Sequence, residues 1–479
     1  MKDYLNTIKL SKELKVAVAI VAFVGLFCGV NYFFGFILPL YLITILVATV
    51  LAFKYPQAGL YAIIFLTFIF ERFFTLVPIV LGKSEYKLYP IDVIFAAVLF
   101  GIIFQIILGK IQFKLAKIDW LLVVFGVFSL VYFFVSIVFA NGEIQLAFSS
   151  AKNYAFYSLF YFATYLLIDN RQHMKELLVV LFSSAIGILW FVFYGILVRH
   201  GLWSDFTPLS TDGIRTLAFT HGYYLCMAII AGLVYVAYKS DLVSKLLLIV
   251  MPLWLIGIVG SMMRHLWISI FVAIIFVIIL FARNARKRLR THAKNYSIVV
   301  LMFLVLVFYG ATLFPRSSAY NAISNGFGMI TNRITSVTNT TGDESIVWRS
   351  AVWQQAGKEY LQNPLLGIGF GKKVSVEIGS YHDFVEVRNM HNSFLVVLVQ
   401  MGILGIGLFG LFVGKLGWKV FVAKIDDEDF QIAAKISLGI LVFQLTAFMF
   451  QPYLEANLLG IFFWINLGIL RRICENVTE

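Results

Sequence analysis

Residues 119–140 read DWLLVVFGVFSLVYFFVSIVFA. Asp119 is its single charged residue, and nearly all the others are apolar. An α-helix of about 20 apolar residues is long enough to cross ~30 Å of bilayer hydrocarbon. The run is continuous, whereas the strands of an outer-membrane barrel alternate apolar and polar residues over about ten positions. The stretch therefore predicts a membrane-spanning helix.

Runs of this kind recur along the whole chain. Of its 479 residues, 61% are hydrophobic and 13% are charged, whereas about 25% are charged in a typical soluble protein. A soluble domain has no means of burying so much apolar surface, so we predict an all-α fold, a polytopic transmembrane helix bundle. About fourteen spans are predicted, with twelve as the alternative count, at 15–30, 33–52, 58–80, 91–109, 119–140, 152–168, 177–198, 221–238, 246–261, 266–282, 297–314, 393–414, 434–450 and 456–470.

The distribution of charge predicts the orientation of these spans. A net charge of +13 by itself would suit a nucleic-acid-binding protein. Most of the Lys and Arg residues, however, lie in short segments on one side of the predicted bundle, and the positive-inside rule assigns that side to the cytoplasm. The basic run at 283–294 is the strongest of these anchors. We therefore expect a multi-pass protein of the cytoplasmic (inner) membrane, with both termini in the cytoplasm and no nucleic-acid partner.

The predicted topology divides the chain into four parts. Two groups of spans come first, and the second group carries arginines in its extracytoplasmic turns. A large extracytoplasmic loop and a C-terminal group of spans follow. The parts are residues 1–200, 201–314, 315–392 and 393–479.

The large extracytoplasmic loop contains a helix signal. Thr341 and Glu344 fit a capping box. The apolar residues that follow recur every four positions and form one stripe. They are Trp348, Val352, Ala356 and Tyr360. Pro364 ends the pattern, and the glycines of 367–371 predict a flexible turn. We predict a short amphipathic helix lying at the outer membrane interface.

A set of basic side chains is predicted to share the extracytoplasmic face. Arginine keeps its charge and offers paired donors that fit phosphate oxygens. Histidine titrates near ambient pH and is able to take a proton from a hydroxyl. Such a set suits a lipid diphosphate and its reaction with an acceptor, although each member also has a simpler interpretation as a headgroup anchor or an interfacial residue. The candidates are Arg215, His221, Arg264, His265, Arg349, Arg388 and His391.

Four motifs in the second half of the chain resemble a known family. They are Arg349-Ser-Ala-Val-Trp-Gln-Gln-Ala, Asn363-Pro-Leu-Leu-Gly-Ile-Gly-Phe-Gly371, His391-Asn-Ser-Phe-Leu and Met401-Gly-Ile-Leu-Gly405. Their order is similar to that of the signature region of the O-antigen ligase and O-antigen polymerase superfamily. Ser261-Met-Met-Arg264 resembles the family's Ser-Arg turn with two extra residues. Arg215 resembles the family's arginine before an earlier span, although Phe219-Thr-His-Gly222 replaces the Gly and Asn-Pro often found after it.

The resemblance implies a metal-independent glycosyltransferase without a cofactor. Its donor is expected to be a glycan linked to a polyprenyl diphosphate, such as undecaprenyl diphosphate, and its acceptor a glycan or lipid hydroxyl. By the same resemblance, the catalytic residues are His391, which activates the acceptor hydroxyl, and Arg264 and Arg215, which bind the diphosphate. Arg349 is expected to shape the acceptor or glycan cleft. The further substrate-binding candidates are Arg388, His221 and His265.

Three functional alternatives stay open. Within the glycosyltransferase hypothesis, the reaction is either polymerisation or ligation of a surface polysaccharide, with other polysaccharide-assembly proteins as possible partners beside the membrane lipids. The second hypothesis is a secondary transporter or lipid-linked glycan exporter, for which Glu71 and Arg72 within an apolar run are the candidate pair. The third is a structural or sensor protein whose large loop binds a partner.

Overall fold

A computed structural model describes residues 11–70, 74–81, 84–198, 217–294, 344–378 and 381–477. Helices dominate these ranges, and two short antiparallel hairpins interrupt them. The helices are α1 (Lys12–Phe34), α2 (Leu38–Lys54), α3 (Pro56–Ile69), α4 (Pro90–Ile107), α5 (Asp119–Val138), α6 (Ile144–Ala151), α7 (Leu159–Leu167), α8 (Arg171–Val198), α9 (Phe219–Tyr238), α10 (Leu242–Gly260), α11 (Arg264–Leu280), α12 (Glu344–Tyr360), α13 (Ser393–Val422), α14 (Glu428–Phe448) and α15 (Asn457–Val477). The strands are β1 (Ile79–Leu81), β2 (Ser84–Leu88), β3 (Lys373–Ile378) and β4 (Tyr381–Glu386).

Membrane-spanning character is confirmed. Among the described residues, nine helices have the length and composition to cross a membrane, and α2, α3 and α11 are shorter apolar helices. Most of the predicted spans within the described ranges coincide with helix. The predicted span at 297–314 lies outside the described residues, so the total of fourteen stays a prediction.

Two predicted spans differ from the observed elements. The span predicted at 58–80 is wrong in its second half, because α3 ends at Ile69 and the β1–β2 hairpin begins at Ile79. The span predicted at 152–168 begins too late. Its helical course starts at Ile144 with α6, passes through a π-helical turn at Lys152–Phe156 and continues in α7.

The centre of the bundle is formed by α9, α14 and α15, whose apolar windows are mostly buried. α14 packs against α9, α11 and α15. Buried ion pairs fix the neighbouring helices. Lys152 Nζ lies 2.9 Å from the Asp92 carboxylate, and Arg471 Nε lies 2.9 Å from that of Asp119. Removing one partner of such a pair leaves an uncompensated buried charge, which is strongly destabilising.

α13 is broken by a backbone insertion. Gly402 adopts a left-handed φ of 66°, and the residues around it bond to a loop of residues 364–371. Ile403 N donates to Pro364 O at 2.9 Å, and Ile368 N donates to Val399 O at 2.8 Å. The loop, which we call the glycine loop, thus satisfies backbone groups that the helix break leaves unpaired.

The glycine loop is also tied to α5. The Tyr132 hydroxyl donates to Leu366 O at 2.5 Å, and Phe370 N donates to Ser136 Oγ at 2.8 Å. The turn predicted at 367–371 is present, and its backbone is hydrogen-bonded to both helices. The glycines allow left-handed backbone and close approach, and the loop joins α5 to α13.

The apolar stripe of α12 is covered by protein. Val352 and Ala356 are buried in a small core that includes Val374 of β3 and Val396 of α13. The helix itself is therefore confirmed from Glu344, whereas its stripe packs on the β3–β4 hairpin and α13 instead of facing lipid. Thr341, the predicted N-cap, lies outside the described residues.

Candidate active site at one end of the helix bundle

A cavity of about 650 Å³ opens where the start of α13 meets the α14–α15 connection. Its other walls come from α12 and from β4 with the turn that follows it. The lining mixes aromatic, amide and charged side chains, a combination suited to binding a polar organic ligand. We call it the His391 cavity. Its lining includes Phe219, Trp348, Phe384, Arg388, His391, Gln451, Tyr453 and Glu455.

His391 is held in an uncommon backbone conformation at the cavity wall. Its φ is 57°, in the left-handed region that non-glycine residues seldom adopt. The next residue, Asn392, is the N-cap of α13 and accepts from Leu395 N at 3.1 Å. The His391 ring meets Trp348 edge to face, with 5.2 Å between ring centroids. The His391 side chain therefore lies at the cavity wall directly before the start of α13.

The imidazole of His391 is kept neutral. Burial lowers the pKa of His391, and the positive charge of Arg349 lowers it further. A hydrogen bond of 2.7 Å between Nδ1 and Gln451 Oε1 acts in the opposite direction. Because the net shift is downward, the ring is unprotonated at neutral pH and able to accept a proton.

Arg349 and Arg388, which were predicted to share a membrane face with His391, both lie near it in the structure. Arg349 lies on α12, which docks beside the histidine because Trp353 Nε1 donates to Met390 O at 2.7 Å. Arg388 lines the cavity, where its Nε lies 2.8 Å from Glu386 Oε2 and its Nη1 donates a hydrogen bond to the Ser149 hydroxyl.

Glu455 also lines the cavity, although its sequence shows only a charge in the last predicted extracytoplasmic turn, a position from which it could approach the site. The residue is 6% exposed, and its carboxylate accepts hydrogen bonds from the Tyr154 and Ser393 hydroxyls, each at 2.6 Å. Burial raises the pKa of Glu455 to about 7, although these two hydrogen bonds and the nearby Arg388 charge oppose the shift. The carboxyl group therefore changes its ionisation near neutral pH.

The pH dependence of stability is expected to report Glu455. A raised folded-state pKa means that the stabilising contribution is complete below the unfolded value of about 4.3 and is lost as the pH rises through about 7. Thermal unfolding of the purified protein should show a loss of up to about 3 kcal/mol between pH 5 and pH 8 from this group. Glu455→Gln should flatten that part of the profile, whereas the exposed control Glu377→Gln should not. An unchanged slope in Glu455→Gln would contradict the assignment.

The other predicted residues lie around the cavity or apart from it. His265 Nε2 lies 2.5 Å from the hydroxyl of Tyr453, a lining residue, so His265 stands one side chain away. Arg264 is the first residue of α11 and is half-buried; it is not a lining residue. His221 is fully buried in α9, where its ring stacks on Phe191 with 5.3 Å between centroids.

Arg215 lies outside the described residues. The structure thus brings together His391, Arg388 and, beside them, Arg349 from the predicted set. It adds Gln451 and Glu455, which no local sequence motif marks. The sequence feature that places these two residues near the site is the short connection before the last predicted span, which lies on the same predicted face as His391.

The fold and the cavity define a multi-helix membrane protein with a histidine and arginines grouped at one end of its bundle. Residues 246–410 match the family model described as O-antigen ligase. This match supports the family resemblance seen in the motifs between residues 349 and 405. At the level that this match supports, the activity is that of a glycosyltransferase-like enzyme using a lipid-linked glycan donor and an acceptor. No curated protein matches the chain.

Proposed function

We propose that this protein transfers a polyprenyl-diphosphate-linked glycan to an acceptor hydroxyl, without a metal ion, on the outer side of the cytoplasmic membrane. The product would be a surface polysaccharide, extended by a polymerase or attached by a ligase. The observation that carries the proposal is the placement of His391, hydrogen-bonded to Gln451, in a cavity that also holds arginine charge, and burial and Arg349 lower the pKa of His391. The family match over the same residues supports it.

The reaction requires one proton acceptor and charge neutralisation. The acceptor oxygen forms a bond to the anomeric carbon while the bond from that carbon to the diphosphate oxygen breaks. The electron pair leaves with the lipid diphosphate, and His391 takes the hydroxyl proton. Attack opposite the leaving group inverts the anomeric configuration. Arginines are suited to the diphosphate because they offer paired donors at fixed charge, and we assign this role to Arg264 and Arg215.

The cavity lining suits a glycan. Trp348, Phe384 and Tyr453 supply aromatic surface, and Asn389 and Asn457 supply amide groups that can bond sugar hydroxyls. We assign Arg349 and Arg388 to the acceptor or glycan side of this cleft, with His265 behind Tyr453. His221 is buried in α9, and any effect on substrate would be transmitted through its neighbours.

The leaflet in which lipid-linked glycan accumulates in cells distinguishes a transferase from an exporter. A strain lacking this protein should collect short lipid-linked glycan units on the outer leaflet, because they arrive there and are not joined further. Collection of the same units in the cytoplasmic leaflet would contradict the proposal and favour an exporter. Re-expression of the wild-type chain should restore long polymer or ligated product.

The pH profile of transfer tests the base. His391 must be neutral to accept a proton, so the rate should fall as the pH decreases through its pKa, which lies below the usual 6.5. Arg349→Gln removes a charge that lowers this pKa, so the acid limb should move to higher pH. Arg349→Lys keeps the charge and should keep the limb near its wild-type position. The pH–rate profiles are compared after each is normalised to its own maximum rate. Coincident profiles for Arg349→Gln and wild type would contradict the assignment of the acid limb to His391 beside Arg349.

A further inference from the structure

We propose that Gln451 is a positioning residue that holds His391 in the Nδ1–H tautomer, so that Nε2 takes the acceptor's proton. This inference rests on the proposed function and extends it to a residue beyond the segment that matches the family model. Which nitrogen of the His391 ring carries the proton is measurable without any reaction.

The geometry starts from a single contact. Gln451 Oε1 and His391 Nδ1 lie 2.7 Å apart, and both side chains line the cavity. A neutral imidazole has one N–H and one lone pair, and the partner of one nitrogen decides which nitrogen carries the proton. An amide oxygen accepts only, so with Oε1 at Nδ1 that nitrogen carries the proton. The lone pair is then on Nε2.

The backbone of Gln451 is fixed independently of His391. Gln451 N donates to Ala447 O at 3.2 Å at the end of α14, and its own carbonyl accepts from Tyr453 N at 2.9 Å. The Ser393 hydroxyl lies 3.4 Å from the same carbonyl. Ser393 follows His391 by two residues, so the start of α13 lies against the connection that carries Gln451.

Glu455 completes this support from the other end of the connection. Ser393 Oγ donates to Glu455 and accepts from Leu454 N at 3.1 Å. Asn153 Nδ2 also donates to Glu455 O, at 2.5 Å, and so joins the π-helical turn to the same connection. The amide of Gln451 is therefore presented from a rigid segment, as a positioning role requires.

The choice of an amide has a chemical reason. A carboxylate at this position would stabilise the imidazolium and raise the pKa of His391, which would reduce the neutral fraction. An amide oxygen orients the ring without adding negative charge. Among the described residues, the charged side chains that line the cavity with His391 are Asp383, Glu386, Arg388 and Glu455. Arg349 on α12 acts on the ring through its positive charge.

The tautomer itself is the first measurement. Purified protein labelled with ¹⁵N-histidine should show a neutral His391 protonated at Nδ1, with its signals identified by their loss in His391→Ala. Gln451→Leu should lose this preference. A wild-type His391 protonated at Nε2 would overturn the proposal, because that nitrogen would then have no lone pair to offer.

Transfer kinetics provide the second measurement. Gln451→Leu should lower the rate by about 10- to 100-fold, as loss of a partner that orients a ligating histidine does. Gln451→Glu keeps an acceptor at Nδ1 and adds charge, so it should retain more activity and move the acid limb to higher pH. Gln354→Leu makes the same chemical change on the exposed face of α12 and should behave as wild type.

The outcomes separate this inference from the proposed function. If His391→Ala abolishes transfer while Gln451→Leu keeps the wild-type rate, pH profile and tautomer, only the positioning role fails. If His391→Ala transfers normally, the proposed function fails first. Should Gln451→Leu not fold, the wild-type tautomer and the shifted pH profile of Gln451→Glu still decide the question.

Discussion

His391→Ala is expected to abolish most glycan transfer while the protein still accumulates in the membrane. Loss of a general base costs about 10²–10⁴-fold in rate, so long surface polymer or ligated glycan should disappear from cells that carry this variant alone. The side chain is half-buried at the cavity wall, and its removal leaves the N-cap of α13 at Asn392 intact. Gel analysis of the surface polysaccharide, beside immunoblots of the protein, measures the effect.

A matched control distinguishes loss of the proton acceptor from a general effect of replacing a histidine. His382 lies on the exposed β4 strand of the neighbouring hairpin, and His382→Ala should leave polymer length unchanged. Wild-type polymer lengths in cells with His391→Ala would remove His391 from the reaction and would leave the cavity without its proton acceptor.

Gly402→Ala is expected to be among the most damaging glycine-to-alanine substitutions in the described part of the chain. A Cβ at this position would lie 2.2 Å from Leu365 O and 2.6 Å from Leu366 N, both backbone atoms of the glycine loop. Those atoms cannot turn away, and the left-handed φ adds a further cost of about 1–2 kcal/mol. Together with overpacking of about 1–3 kcal/mol, the free energy of unfolding should fall by about 3 kcal/mol or more.

The same helix supplies the control for this prediction. Gly410 lies in α13 with nothing near its missing Cβ, so Gly410→Ala should be neutral or stabilise the helix by about 0.5–1 kcal/mol. The yield of monodisperse protein after detergent extraction and the thermal unfolding midpoint compare the two variants. Equal midpoints would mean that the glycine loop does not sit against Gly402 as described.

Long apolar runs made the helices of this protein predictable from sequence. They did not mark the β1–β2 hairpin, because the apolar residues of β1 continue the hydropathy of α3 and hydropathy alone does not separate a short strand from helix. The π-helical turn at Lys152–Phe156 was missed for a similar reason. The composition there is unremarkable for a helix, and a change of hydrogen-bond register leaves no local pattern.

The candidate site was predictable only where a motif surrounds the residue. His391 opens a span within a family-like motif, and the structure places it in a cavity with Arg388. Gln451 lies 60 residues further along the chain, and only folding brings the two side chains together. Glu455 carries a single charge in a short turn, which by itself does not distinguish a surface residue from a buried one.

The glycine loop shows the same limit in another way. Its sequence indicates backbone freedom, and the sequence around Gly402 indicates a continuous helix. Neither pattern contains the fact that Pro364 and Ile403 are hydrogen-bonded partners. The sequence indicates a connection only in that the motifs at 363–371 and 401–405 occur together in one family-like region. The hydrogen bonds between the glycine loop and α13 give a physical reason for that co-occurrence.

Transfer in a purified system distinguishes a glycosyltransferase from a transporter. Wild-type protein would be incubated in detergent or vesicles with a defined polyprenyl-diphosphate-linked glycan, an acceptor glycan or lipid and a metal chelator. The account predicts that glycan–acceptor bonds form in step with the release of free polyprenyl diphosphate, and that the chelator does not change the rate. Movement of intact lipid-linked glycan across the vesicle membrane with no diphosphate released, or transfer that stops when the chelator is added, would contradict it.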